Sequence, residues 1–225
     1  VGMAINRAAG RQALTVADAH LARVAAEGLA SHSYLAALAT TTGPHSGRDL
    51  TDAVHLLCQL YGRHPGLIEM ALDHLPAGAV RDWLTAASDS FERERLFLVR
   101  LTASVGPLPS TPGAADSEAA LLAQRHAVET LARSERSGCA LGAATALAAD
   151  WPALRTVLDR AALRVGMEAP AATLPDAASI LHVITLGTET PASARALGFG
   201  GEQLLLQNRG LFDLLEARAE ARGDY

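Results

Sequence analysis

The stretch LTVADAHLARVAAEGLASHSYLAALA, residues 14–39, decides how the rest of the chain is read. Turned at 100° per residue, it lays Leu14, Ala17, Leu21, Ala25, Gly28, His32, Leu35 and Ala39 along one apolar stripe, the signature of an amphipathic α-helix. Alanine and leucine, which dominate it, are strong helix formers. The spacing predicts one helix over roughly 13–40. The same bias runs through the whole chain: 49% of its 225 residues are hydrophobic, yet only 4% are aromatic. Residues that favour strands are scarce, so the fold is expected to be all-α.

Further helices are expected over roughly 48–62, 65–75, 78–105, 116–149, 152–165, 175–187 and 191–221, and the punctuation between them is legible. Thr42 to Gly47 is a loop, and Arg63-His64-Pro65-Gly66 ends one helix and begins another. Gly106-Pro107-Leu108-Pro109-Ser110-Thr111-Pro112-Gly113 is the strongest break. Each half beside it is too small to stand alone. The expectation is therefore one domain over 12–222, an antiparallel bundle of about seven helices with a Pro/Gly-rich loop at 106–115. Gly198-Phe199-Gly200-Gly201 is expected to interrupt the last helix, leaving 201–221 as the final helix proper.

Charge narrows the function classes. The net charge is −5, and all 19 basic residues are arginine, which reads as a coding bias rather than a functional choice. Residues 1–40 carry only Arg7, Arg11 and Arg23, so no basic helix-turn-helix is present and nucleic acid is not an expected partner. Two distant cysteines, Cys58 and Cys139, suit a reducing compartment and make no disulfide scaffold. With no signal-peptide pattern and no long uncharged apolar run, a cytoplasmic protein without a membrane span is expected.

Function then rests on polar residues placed on apolar stripes, since a buried polar group needs a partner. His32 sits mid-stripe, with Gly28 one turn earlier leaving room beside its ring. It is either a core histidine bonded to a neighbouring helix or a ligand to a metal or haem iron. Glu94 and Arg95 flank the stripe of Leu84, Ala87, Phe91 and Leu98, where an interhelix salt bridge is the plainer reading. Glu135 falls inside the face made by Val128, Leu131, Ala132 and Cys139, as a carboxylate paired with Arg95 or Arg125, or as a metal ligand. His32, Glu94 and Glu135 form the candidate metal set. Asp52-x-x-His55 has the spacing of a di-iron bundle motif in part, but both residues are expected to face water, as is His126. His64 and His74 fall nearer apolar faces, and His182 is expected in the core.

Gly138 and Gly142 are read inside a helix, where each glycine costs about 1 kcal/mol relative to alanine. Two such residues followed by Ala143 and Ala144 allow either a close helix–helix approach or a flat ligand against backbone. Cys139, between them, is a small core residue with nothing to activate its thiol.

A histidine in the first long helix, followed about a hundred residues later by Ser137-Gly138-Cys139-Ala140-Leu141-Gly142-Ala143, resembles the haem oxygenase-like helical fold. That resemblance implies His32 as the proximal haem ligand and the Gly138–Gly142 helix lying over a porphyrin. It extends to thiaminase-like enzymes and di-iron oxidases, whose sites draw on carboxylates and histidines of the bundle interior. The functional expectation is an internal pocket for a haem-like cofactor or iron, held by His32, Gly138 and Gly142. The alternatives are a thiaminase-like or di-iron oxidase-like enzyme, and a non-enzymatic protein that binds a protein partner or dimerises through the stripe Leu204, Asn208, Leu211 and Leu215; the expected partners are a small-molecule ligand or a second copy of the chain.

Overall fold

The computed structural model describes residues 14–73 and 75–223; Arg7, Arg11 and His74 lie outside them. Nine α-helices and one 3-10 turn make up the described residues, without a strand. They are α1 (Val16–Glu27), the 3-10 turn Leu29–Ser31, α2 (Ser33–Thr40), α3 (Ser46–Tyr61), α4 (Leu67–Leu72), α5 (Ala79–Ser104), α6 (Ala114–Ala132), α7 (Cys139–Arg164), α8 (Ala177–Gly187) and α9 (Pro191–Arg222). None of these helices is long and apolar enough to cross a membrane. The all-α expectation holds, with more helices than the seven expected.

α7 is the axis of the molecule. Leu147, Trp151, Leu154 and Leu158 are inaccessible to solvent, and every other helix packs against α7. Its contact with α9 is made by backbone. A Cβ placed on Gly142 would stand 2.0 Å from the Leu197 carbonyl oxygen, and one on Gly200 would stand 2.0 Å from the Cys139 carbonyl oxygen. Gly138 and Gly142, expected to admit either a helix or a flat ligand, are thus filled by α9. Gly138 lies at the helix edge, as the cap of α7 at φ 97°, a left-handed conformation that favours glycine.

Four boundaries depart from the periodic reading, each for a local reason. The single helix expected over 13–40 breaks at Gly28, because the buried Asp150 carboxylate on α7 takes the Leu29 N–H at 2.7 Å. His32 caps α2, its Nδ1 accepting the Tyr34 N–H at 3.2 Å. The helix expected over 116–149 breaks between Arg133 and Gly138, where Ser134 Oγ accepts the Arg136 N–H and Gly138 supplies the positive φ. Conversely, Pro152 does not end a helix: α7 runs through it, although proline has no N–H for the Ala148 carbonyl. Gly198, Gly200 and Gly201 do not interrupt α9, because two of the three lie against α7 and α1 side chains or backbone.

The stripe of α3 is buried as expected at Leu50, Ala53, Leu57 and Leu60, but Asp52 is corrected from solvent to core. Arg218 donates to it at 2.7 Å and Arg222 at 2.5 Å, and Arg222 also reaches Asp49 at 2.7 Å. Arg222 further donates to Thr111 at 3.0 Å, so this ion cluster ties the end of α9 to α3 and to the Pro/Gly-rich loop.

Candidate functional site

Halfway along α7 the run Asp150-Trp151-Pro152-Ala153-Leu154-Arg155 carries two buried polar chains. In the first, Asp150 accepts the Leu29 N–H through Oδ1 and the Asn208 amide through Oδ2, both at 2.7 Å. Asn208 Oδ1 in turn accepts the Tyr61 hydroxyl. Burial pushes the Asp150 carboxyl above the usual carboxylate range, partly opposed by its two hydrogen bonds and by the charge of Arg209. Burial, with Asp150 nearby, also raises the Tyr61 phenol.

The second chain starts at the Trp151 indole, packed edge-on to Tyr61 and Phe91 at centroid distances of 5.6 and 4.7 Å. Its Nε1–H donates to Glu94 at 2.8 Å, and Arg155 donates to both oxygens of the same carboxylate, also at 2.8 Å. The Arg155 guanidinium lies over Phe97, 4.8 Å from the ring centroid, and its Nη2 donates to the Pro170 carbonyl at 2.6 Å. That last bond, with Arg93 donating to Thr173 Oγ1 at 2.9 Å, holds the extended segment 167–176 across α7.

Between this segment and α1 a cleft of about 930 Å³ opens over the Trp151–Pro152 step. Its walls are mostly alanine, proline, leucine and isoleucine: Leu21 and Val24 from α1, Ala149 and Ala153 from α7, Leu174 from the segment and Ile180 from α8. Charged groups enter only at Asp150, Arg155, Asp159 and Asp176, and Arg155 Nε already donates to Asp159 at 3.0 Å. No cysteine, serine or histidine is among the described residues that line it. The volume suits a small organic ligand, and such sites are largely apolar with few fixed polar groups.

A model of a family of unknown function, DUF6975, matches residues 24–223. The chain belongs to this family. No curated protein and no solved structure matches it. The matched span contains every helix from α2 to α9 and every wall of the cleft except Leu21.

In this DUF6975 member the residues expected to hold a cofactor are dispersed. His32 is buried, but both ring nitrogens are engaged: Nδ1 accepts the Tyr34 N–H, which puts the proton on Nε2, and Nε2 faces Asp213 Oδ1 at 3.0 Å. Gly28 does not make room for that ring; it lies against Asp150, whose Oδ1 would be 2.6 Å from an added Cβ. Glu94 is buried as expected and paired with Arg155 rather than with Arg95. Arg95 instead serves Glu69 at 2.6 Å and Glu92. Glu135 is corrected from core to surface, because the chain leaves the helix two residues earlier. It lines a separate cavity of about 600 Å³ with Gly138, a cavity that neither His32 nor Glu94 borders. His182 is likewise exposed rather than in the core, and His126 is exposed as expected. Leu204, Asn208, Leu211 and Leu215 are all buried against α7 and its neighbours, so that stripe is core and not a contact surface.

Sequence reading passed over Asp150, Trp151 and Arg155. Proline at 152 is an expected helix boundary, which leaves Asp150 and Trp151 between the helices expected over 116–149 and 152–165. An aspartate and a tryptophan inside a largely apolar stretch from Leu141 to Leu154 were the available signal. His20, which offered no context in sequence, is 6% exposed and bonded to Thr145 Oγ1 at 3.1 Å. Because the Thr145 hydroxyl donates to the Leu141 carbonyl at 2.8 Å, His20 Nε2 is the donor. Burial, with the charge of Arg23, holds its imidazole down at about 4.

Proposed function

We propose that this protein is a non-covalent binder of a small, largely apolar molecule, seated in the cleft between α1 and segment 167–176. The observation that carries this reading is the 930 Å³ cleft itself, walled by short aliphatic side chains and floored by Pro152, with Trp151 buried beneath it. Its lining supplies no nucleophile–base pair, which favours binding over acyl or group transfer. Arg155 and Asp159 at the edge offer a polar end to an otherwise apolar ligand.

The haem or iron reading fares less well on the residues present. A ligating histidine needs one ring nitrogen free while the other is oriented by a hydrogen bond, and His32 uses both. Glu94 has both oxygens committed to Trp151 and Arg155, and Glu135 lies on another cavity. The set expected from the haem oxygenase-like resemblance does not fit a metal or porphyrin. A reducing, cytoplasmic setting suits the free cysteines Cys58 and Cys139 and is part of the proposal.

The test is to fill the cleft. Ala153→Phe on α7 and Ala172→Trp on the segment should each abolish saturable binding of apolar probes such as decanol or indole, with circular dichroism unchanged. Equal binding by wild type and both variants would place the ligand elsewhere and remove the proposal.

A further inference from the structure

The turn between α3 and α4 and the outer face of α6 enclose a polar groove of about 250 Å³, remote in character from the apolar cleft. Arg63 and His64 line it from the turn, Arg125, His126 and Glu129 from α6, and Arg133 from the cap that ends α6. The spacing of 125, 129 and 133 is one helical face, so α6 points its charged groups into the groove as a row.

Three guanidinium groups therefore share this small volume with one carboxylate. Glu129 is taken by Arg133, at 3.6 Å. Arg63 and Arg125 have no ion pair or side-chain hydrogen bond with any described residue, although acidic residues outnumber basic ones, 24 to 19, in the chain. His64 adds an imidazole donor. Its Nδ1 accepts from Arg95 Nη1 at 3.2 Å, which leaves the proton on Nε2. The carboxylates behind His64, Glu69 and Glu92, are both occupied by Arg95. His64, Glu69 and Glu92 lie close enough to suggest a cation site, but Arg95 already fills that place as the cation.

Two like charges held at one groove repel unless something negative lies between them. A guanidinium fork matches an oxyanion with two parallel N–H···O bonds, and two forks with imidazole donors match a tetrahedral one best. The groove has the liquid volume of roughly eight waters at about 30 Å³ each, room for one phosphoryl group with a small substituent. We propose that Arg63, Arg125 and the His64 and His126 imidazoles form a binding site for a phosphate-bearing small molecule, independent of the apolar cleft.

Calorimetric titration with inorganic phosphate and with pyrophosphate, at ionic strength held constant with chloride, tests this. Wild type should bind with 1:1 stoichiometry, and Arg63→Ala and Arg125→Gln should each weaken binding at least tenfold. Arg125→Lys, which keeps the charge and loses the fork, should fall between. Arg100→Ala, an exposed arginine of α5, should leave binding unchanged. No saturable heat with either probe, or an equal loss in Arg100→Ala, would overturn the proposal. Arg63 is exposed, Arg125 is partly buried and neither belongs to the core, so circular dichroism of the variants should match wild type and keep a lost signal interpretable.

Discussion

Gly198 and Gly200 stand two residues apart in α9, and replacing each by alanine should move stability in opposite directions. At 198 an added Cβ meets nothing within 4 Å. The substitution then only removes the backbone freedom of glycine, a gain of up to about 1 kcal/mol within a helix. At 200 the same methyl would stand 2.0 Å from the Cys139 carbonyl oxygen, 2.8 Å from its carbon and 3.2 Å from the Ala143 nitrogen. All three are backbone of α7 and cannot rotate away. Real contacts stay above 3.0 Å, so the two helices must part by at least 1 Å along their shared face. Overpacking of this kind costs about 1–3 kcal/mol. Taking the upper end for a backbone obstacle and subtracting the propensity gain leaves a net loss of about 2 kcal/mol. For a chain of this length each kcal/mol moves the melting temperature by about 2–4 °C. Gly198→Ala should therefore melt about 2–4 °C higher than wild type, and Gly200→Ala about 4–8 °C lower, by differential scanning calorimetry. Two shifts of the same sign and size would refute the inference that α7 and α9 meet backbone to backbone.

Three further outcomes follow from the buried polar groups. His20 is held near 4 when folded against 6.5 when free, so its contribution is present above 6.5 and lost as pH falls from 6.5 towards 4. The full difference corresponds to roughly 3 kcal/mol, and His20→Gln, which keeps a donor to Thr145, should flatten the loss of urea stability across that window. Asp150 has the opposite sense for an acid: its raised folded value means that stability falls as pH rises from 3.8 through the folded value. Asp150→Asn should gain on wild type between pH 3.5 and pH 7 in paired thermal melts; a constant difference would show that Asp150 titrates normally. Glu94→Ala takes the buried carboxylate from Arg155 and Trp151, leaving Asp159 at the rim as the only carboxylate on Arg155, and should cost about 3 kcal/mol in urea unfolding. The paired change Glu94→Leu with Arg155→Met should recover part of that.

How much of this was legible in the chain depends on which force set each feature. The all-helical class followed from alanine and leucine content, and the inward stripe of α3 followed from its period, because burial of a helix face is a local repeating pattern. Breaks made by tertiary capture were not legible. No periodicity shows that Asp150, 121 residues away, takes the Leu29 N–H and ends α1 at Gly28. The turn before α7 was legible in principle, since Ser134-Glu135-Arg136-Ser137-Gly138 is a polar run ending in glycine, but the apolar pattern on either side masked it. Glu135 was misplaced for that reason. Asp52 was misplaced for another: its burial depends on Arg218 and Arg222, which reach it from the far end of the chain. The cleft was hidden because Pro152, normally a helix terminator, is carried inside α7 by the packing of Trp151 and Leu154 on either side of it.

The central claim, a ligand seated over Pro152 of α7, is tested most directly by the melting temperature of the protein, with the emission of Trp151, buried beneath Pro152, as a second signal. The chain has two tryptophans, and Trp83, which donates to Ser179 at 2.7 Å away from the cleft floor, is replaced in Trp83→Phe. Titration of this single-tryptophan protein with decanol or indole-free apolar probes should give a saturable change in Trp151 emission. At a ligand concentration 100-fold above Kd it should also raise the melting temperature by about 5–10 °C, from the roughly 2.7 kcal/mol that such binding adds. Both effects should vanish in the Ala153→Phe background. A melting temperature that does not rise at saturating probe, or binding that survives the filled cleft, would contradict the account.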